Sequence, residues 1–364
     1  MPPITSSELA VTITKGICMS GGELSNIGRI AEKISNEIFS FFKWKVVGPT
    51  NLNYKCEKKD LHAKSKEGEH HHPTDVVFRY FDPYANKQIY MHTDLKSYAK
   101  GSITSTEIKK ALVSLARSIE CAHVSSEWRD RYVSIKSERR AVKGLLFVFN
   151  HDDQYDRDFY DHFQDLRFES MHVREGQQLH IAEPSLINHM ATLRQDINSL
   201  IAADTFPRHR YTFLYPEMVL HKPSGDYWSR PATMELIAAP YMIIHHGAVH
   251  AGSIDGERSQ THNEGYIIYY RRSGESEFEF MYLFDALSRF QLLKGDKDLK
   301  IRIRVICRNS SANLRSNYMS AIASYVRDWN EDEHRRAILE RIELEIVTMA
   351  VHNYKAEQIG WDRA

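Results

Sequence analysis

Two short apolar runs flank the segment Asp82-Pro83-Tyr84-Ala85-Asn86-Lys87, and that turn constrains this chain more than any other feature. The runs, residues 75–81 and 88–96, are rich in Val, Phe, Tyr and Ile, the composition of paired strands. A hairpin closed by this turn sets its own register. Phe81 falls opposite Gln88, Tyr80 opposite Ile89 and Asp75 opposite Asp94. Side chains alternate along a strand, so Lys96 leaves the same face as Asp94. Two carboxylates side by side repel each other, and a fold that holds them together needs a compensating cation. Carboxylate oxygens beside a lysine suit Mg²⁺, a hard ion that takes carboxylate, water and phosphate oxygens.

The surrounding residues supply a consistent set of elements. Residues 22–42 carry Ile27, Ile30, Ala31, Ile34, Ile38 and Phe41 at helical spacing. Residues 44–47 form a short strand. Residues 102–122 form a second helix, opened by Ser and Thr capping candidates, with Ile108, Leu112, Leu115 and Ile119 along one face. The continuous apolar run at 144–150, GLLFVFN, indicates a strand covered on both faces.

Helix, three strands, helix, strand, with Pro73-Thr74-Asp75 and Asp94-Leu95-Lys96 on the hairpin, resembles the PD-(D/E)xK superfamily of restriction-endonuclease-like nucleases over residues 20–152. Thr74 between Pro73 and Asp75 departs from the family spacing, although the proline is not a ligand. The resemblance implies an α/β restriction-endonuclease-like core and a metal-dependent phosphodiesterase. Asp75, Asp94 and the Leu95 carbonyl would hold Mg²⁺, for which Mn²⁺ can substitute, and Lys96 would act on the attacking water. The family often adds an acidic residue from the first helix. Glu32 is the first choice and Glu37 the alternative. At about 100° per residue they sit about 140° apart, so only one can face the site.

At 364 residues the chain is long for one domain and comfortable for two. The expected division is 1–153 for the nuclease-like part and 154–364 for a second α+β domain. Hydrophobic residues make up 42 %, enough for a substantial core. No stretch approaches the roughly 20 apolar residues needed to span a bilayer. The start, MPPITSSELAVTITKG, lacks a basic segment followed by an apolar core, so no secretory signal is expected. Cys18, Cys56, Cys121 and Cys307 form no CxxC pair and read as reduced, inert thiols of a cytoplasmic protein.

Lys+Arg and Asp+Glu both total 48, so any attraction for nucleic acid must be local. Residues 48–73 form an insertion carrying Lys55, Lys58, Lys59, Lys64 and Lys66. Lys64 and Lys66, with Tyr98 and Lys100 just past the active triplet, are the candidate phosphate or base contacts. Arg129 to Lys143 reads instead as a solvated helix face. Within Glu69-His70-His71-His72, His70 or His72 is placed to approach Asp75, and zinc is disfavoured there. His245 and His250 flank Gly247 after an apolar strand, which argues against a helical metal motif.

Beyond Asn150, the acidic turn 151–156 is expected to cap a helix. Strands are expected at 179–182, 210–214, 241–245, 299–307 and 342–349, with helices at 185–202, 283–293, 313–329 and 331–341. A hairpin is expected between 266–271 and 277–282, around Ser273-Gly274. The resulting reading is an Mg²⁺-dependent endonuclease, with DNA favoured over RNA, matching the architecture of effector subunits of bacterial antiviral systems. Its second domain would sense a signal or bind a protein partner; self-association is left open, and no membrane is involved. The competing reading is a non-catalytic, nuclease-fold binding or regulatory subunit of a nucleic-acid-processing complex.

Overall fold

The computed structural model describes residues 32–349 except 34, 63–68, 136–137, 165–172, 216–225, 253–257, 294, 296–298 and 331. Helix α1 runs to residue 41 and buries Ile38, Phe39 and Phe41. It stops where Lys43 turns left-handed (φ 65°), and the Trp44 N–H bonds back to the Phe39 carbonyl at 3.0 Å. There follow β1 (Lys45–Val46), β2 (Tyr54–Lys55), the single turn α2 (Lys59–His62), β3 (His71–His72), β4 (Val76–Asp82) and β5 (Lys87–Tyr98). Next come α3 (Ser105–Val124), α4 (Ser126–Tyr132), β6 (Arg140–Asn150), β7 (Leu179–Ala182) and α5 (Pro184–Ala202).

The first sheet has the order β1-β4-β5-β6-β7. Strands β4 and β5 pair antiparallel in the register read from the turn, with Phe81 opposite Gln88 and Tyr80 opposite Ile89. The turn is held by the Asp82 carboxylate, which accepts from the Tyr84 and Ala85 N–H groups at 3.0 and 3.1 Å. β5 runs parallel to β6, and β6 parallel to β7. Helix α3 starts at Thr104, whose side chain accepts from the Glu107 N–H, and lays Ile108, Leu112, Leu115 and Ile119 on the sheet. Its close approach requires Gly144 in β6. A Cβ there would lie 2.5 Å from a Leu179 methyl and 3.1 Å from Leu115 Cγ.

The second unit contains β8 (Tyr211–Phe213), α6 (Met234–Ala238), β9 (Tyr241–His246), β10 (Val249–Gly252), β11 (Arg258–His262) and β12 (Gly265–Tyr270). It continues with α7 (Glu277–Arg289), β13 (Lys300–Val305), α8 (Leu314–Asp328), α9 (Glu333–Glu340) and β14 (Glu343–Ile346). Its main sheet has the order β14-β13-β12-β9-β8. The expected second arm of a hairpin at 277–282 is instead the start of α7. Glu and Phe alternate there as in a strand, but Phe280, Leu283, Phe284 and Leu287 are the buried set, at helical spacing. Strand β12 therefore crosses over through α7 to pair parallel with β13.

The layers follow from which side chains meet. Val77, Tyr90, Leu146 and Val148 of the first sheet pack under α3 and α4. Its opposite face, with Phe78, Met91 and Phe147, shares one core with α1, α5 and the Phe213, Met242, Ile244 and Ile267 face of the second sheet. The far face of the second sheet packs on α7 and α8. Inside the shared layer, Asp196 of α5 accepts from Arg304 Nε at 2.5 Å, from Arg304 Nη2 at 2.6 Å and from the Tyr269 hydroxyl at 2.7 Å. No helix among the described residues is long and apolar enough to cross a membrane.

Candidate nuclease site

Asp75 sits one residue before β4, and the Val76–Thr93 pair brings it beside Asp94. Both residues share the α3 face of the sheet with Tyr90 and Tyr98, while Leu95 packs into the opposite core. The two carboxyl groups are in hydrogen-bonding contact. Asp75 Oδ2 also accepts from the Leu95 N–H at 2.7 Å, and Lys96 Nζ donates to Asp94 Oδ1. Burial pushes the Asp75 carboxyl up to about 6, and the charge of Asp94 adds to the rise against the pull of the Leu95 N–H and Lys96. Burial alone would lower the Lys96 ammonium, but the Asp94 and Asp75 carboxylates outweigh it and hold the lysine above its ordinary value.

The backbone that carries Asp75 is fixed at three successive carbonyls. His92 Nε2 donates to the Pro73 carbonyl at 3.1 Å, the Leu52 N–H to that of Thr74 at 3.0 Å, and the Asn51 N–H to that of Asp75 at 2.8 Å. Trp128 Nε1 donates to His92 Nδ1 at 3.3 Å, which sets the tautomer of the ring. Burial lowers His92 to about 4, so the ring stays neutral. Asn51 also links to the first helix, because its side-chain amide donates to Glu32 Oε2 at 3.3 Å. Glu37 is exposed on another side of α1. The structure therefore brings Glu32, and not Glu37, to the residue that holds Asp75.

The outer candidates fare differently. Tyr98 is partly buried against the α3 core. Lys100 Nζ pairs with Asp156 at 2.8 Å, and its N–H donates to Asp152 at 3.0 Å. The acidic turn thus ties the exit of β5 to the exit of β6 in place of the expected cap for a helix. Asp158, further on, does cap a short 3-10 turn through the Tyr160 N–H at 2.9 Å. Lys64 and Lys66 lie outside the described residues. Lys55 and Lys58 of the insertion pair with Glu69 and Glu120, at 3.5 and 2.5 Å.

The stretch expected as a solvated helix face, 129–143, divides between the end of α4 and the start of β6. Trp128 and Tyr132 are buried, because α4 packs against the sheet. The expected approach of His72 to Asp75 does not occur. Strand alternation turns the His72 ring into a buried cluster with Cys56, His62 and Cys121. Those ligand-type residues come from α2, β3, α3 and the loop after β2, which is why the absence of CxxC concealed them. His245 pairs with Glu264 at 2.8 Å and joins no metal-ligand group among the described residues.

Residues 19–186 match the family model described as the GAPS4 protein PD-(D/E)XK nuclease domain. The matched segment includes every residue of the site and reaches past β7 into α5. No curated protein and no solved structure matches the chain. Residues 19–186 belong to the PD-(D/E)xK nuclease superfamily, whose members typically use divalent metal ions and act on nucleic acid.

Proposed function

We propose that this nuclease domain is an Mg²⁺-dependent endonuclease acting on DNA, and that Asp75, Asp94, Lys96 and Glu32 are its working residues. The observation that carries the reading is the pairing of Asp75 with Asp94 on one sheet face, beside the Lys96 ammonium. The donor set fits a hard divalent ion. Two carboxylates in contact, one of them raised to about 6, are charge-deficient in donors and offer only oxygen. Asp75, Asp94 and the Leu95 carbonyl would hold Mg²⁺ or Mn²⁺, with Glu32 reaching it through its position next to Asn51. Held by these residues, a divalent ion would supply Lewis acidity for the scissile phosphate and for a water.

The remaining chemistry belongs to the protein. Lys96, held as an ammonium, orients the attacking water and offsets charge that builds on the phosphate in the transition state. Its contact with Asp94 fixes the ammonium where the phosphate must lie. His92 and Asn51 keep Asp75 in register, so the ligands need little reorganisation. Tyr98, Lys100, Lys64 and Lys66 are proposed contacts for the strand next to the scissile bond. For Lys100 this requires exchange of Asp156 for a phosphate.

The second α+β unit, beginning after the first sheet is complete, is proposed to control access or recruit a protein partner. A nuclease core joined to such a unit fits an effector of bacterial antiviral defence, working in the cytoplasm. Purified protein should nick or linearise supercoiled plasmid in Mg²⁺ and lose that activity in EDTA or as Asp94→Ala. Linear DNA and RNA run in parallel define the substrate. Equal cutting by wild type and Asp94→Ala, or none by wild type on any of the three substrates, would defeat the proposal.

A further inference from the structure

We propose that Cys56, His62, His72 and Cys121 form a tetrahedral Zn²⁺ site, separate from the nuclease centre, that staples the 48–73 insertion to helix α3. All four side chains are buried, and their ligand atoms lie within 4.8 Å of one another. Zn²⁺ with Zn–S of about 2.3 Å and Zn–N of about 2.0–2.1 Å requires tetrahedral edges of about 3.8 Å (S to S), 3.6 Å (S to N) and 3.3 Å (N to N). The observed edges are 3.7 Å between Cys56 Sγ and Cys121 Sγ, and 3.3 Å between His62 Nδ1 and His72 Nε2. Cys56 Sγ and Cys121 Sγ lie 3.6 and 3.4 Å from His62 Nδ1. A disulfide would need the sulfurs at about 2.05 Å.

The surroundings prepare the same four atoms. His62 turns its other nitrogen, Nε2, to Glu120 Oε2 at 3.0 Å. Glu120 is in turn held by Lys58 at 2.5 Å and Arg174 at 2.7 Å. That carboxylate accepts a hydrogen bond from Nε2–H, which fixes the tautomer and leaves the Nδ1 lone pair facing the sulfurs. His72 turns Nδ1 to Ser118 Oγ at 3.5 Å, and Ser118 spends its own proton on the Ser114 carbonyl at 2.9 Å. The hydroxyl can therefore only accept, which leaves the His72 Nε2 lone pair inward. The Glu57 and Lys58 N–H groups bond to the Cys121 sulfur, against burial and the neighbouring Cys56, which in the metal-free protein push the thiol up to about 11. Two thiolates and two imidazoles select zinc over the oxygen-seeking Mg²⁺ and Ca²⁺.

The site has a clear mechanical result. β2, α2 and β3 are too short to hold a fold alone, and His72 stands three residues before Asp75. Anchoring His72 to α3 fixes the entry of the chain into the catalytic hairpin.

The test uses full-length protein purified without chelator and analysed by inductively coupled plasma mass spectrometry. About one zinc per chain is expected, for one four-coordinate site. Asp94→Ala should keep its zinc, which separates this site from the Mg²⁺ centre. Cys121→Ser should lose most of it. If Cys121→Ser fails to fold, alkylation of the wild type decides. Cys56 and Cys121 should resist iodoacetamide until a strong chelator is added under denaturing conditions, with mapping by peptide mass. Cobalt replacement should give the visible bands of tetrahedral S₂N₂ coordination. Wild-type protein from zinc-supplemented cells with less than a tenth of an equivalent of zinc would overturn the proposal. So would zinc lost in Asp94→Ala, or a Cys56–Cys121 disulfide in the purified protein.

Discussion

Asp75 and Asp196 are both acids set into the packed part of the molecule, and their surroundings are opposite. Asp196 receives three donors, two from the Arg304 guanidinium and one from Tyr269, so its charge is fully answered from within the protein. Asp75 receives one backbone N–H and faces a second carboxylate. The first arrangement holds α5 to the second sheet. The second leaves an electrostatic deficit of the kind that clusters at functional sites.

That contrast breaks most sharply on activity. Asp94→Ala and Lys96→Ala should each cut plasmid cleavage by at least about 10²–10³-fold while leaving the circular dichroism spectrum unchanged. Calorimetric titration should separate them. Asp94→Ala loses Mg²⁺ affinity, whereas Lys96→Ala largely keeps it. An Asp196→Ala variant should instead lose stability, by about 3–5 kcal/mol in denaturant unfolding, because the half-buried Arg304 loses its buried partner and keeps only the exposed Glu345.

Asp75→Asn should do the reverse of Asp196→Ala. It abolishes cleavage yet raises the stability of metal-free protein at neutral pH, by on the order of 1 kcal/mol after allowance for solvent screening. The sign follows from the raised carboxyl. Folded protein keeps a proton on Asp75 up to about 6, while the unfolded chain releases it near 3.8. The group's favourable contribution is therefore complete below about pH 3.8 and lost as pH rises through about 6. Metal-free wild type should lose stability across that window relative to Asp75→Asn. Mg²⁺ affinity should rise across the same window, as the competing proton leaves. A flat difference between the two proteins from pH 4 to 7 would remove the electrostatic argument.

The smallest expected effect is at Lys100. Because Asp156 already neutralises it, Lys100→Ala should weaken DNA binding only a few-fold and shift the salt dependence by less than one unit of slope. A larger loss would mean that phosphate displaces Asp156 in the complex.

Much of the core was legible because the determining signals were local. The turn at 82–87 set the register, so the Asp75–Asp94 pairing could be counted from residue numbers. Helical geometry showed only that Glu32 and Glu37 cannot both face the site; the contact of Glu32 with Asn51 depends on a loop 19 residues away. The 277–282 misreading arose where Glu-Phe alternation imitates a strand, and only the partners of Phe280 and Leu283 decide for a helix. Lys100 looked available because its partner lies 56 residues on, in the turn that follows a different strand. The Cys and His cluster stayed hidden for a similar reason, with gaps of five, nine and 48 residues between ligands. Nothing local records that α3 passes beneath the insertion.

The shared layer between the two sheets has a consequence for how the chain can be divided. A fragment ending near residue 153 would lack β7 and α5, and would bare the face formed by Phe78, Met91 and Phe147. A break between α5 and β8 would instead give two pieces with complementary greasy surfaces, each insoluble alone and competent to reassemble when made together. The second sheet thus stands to the first as the missing half of a split protein.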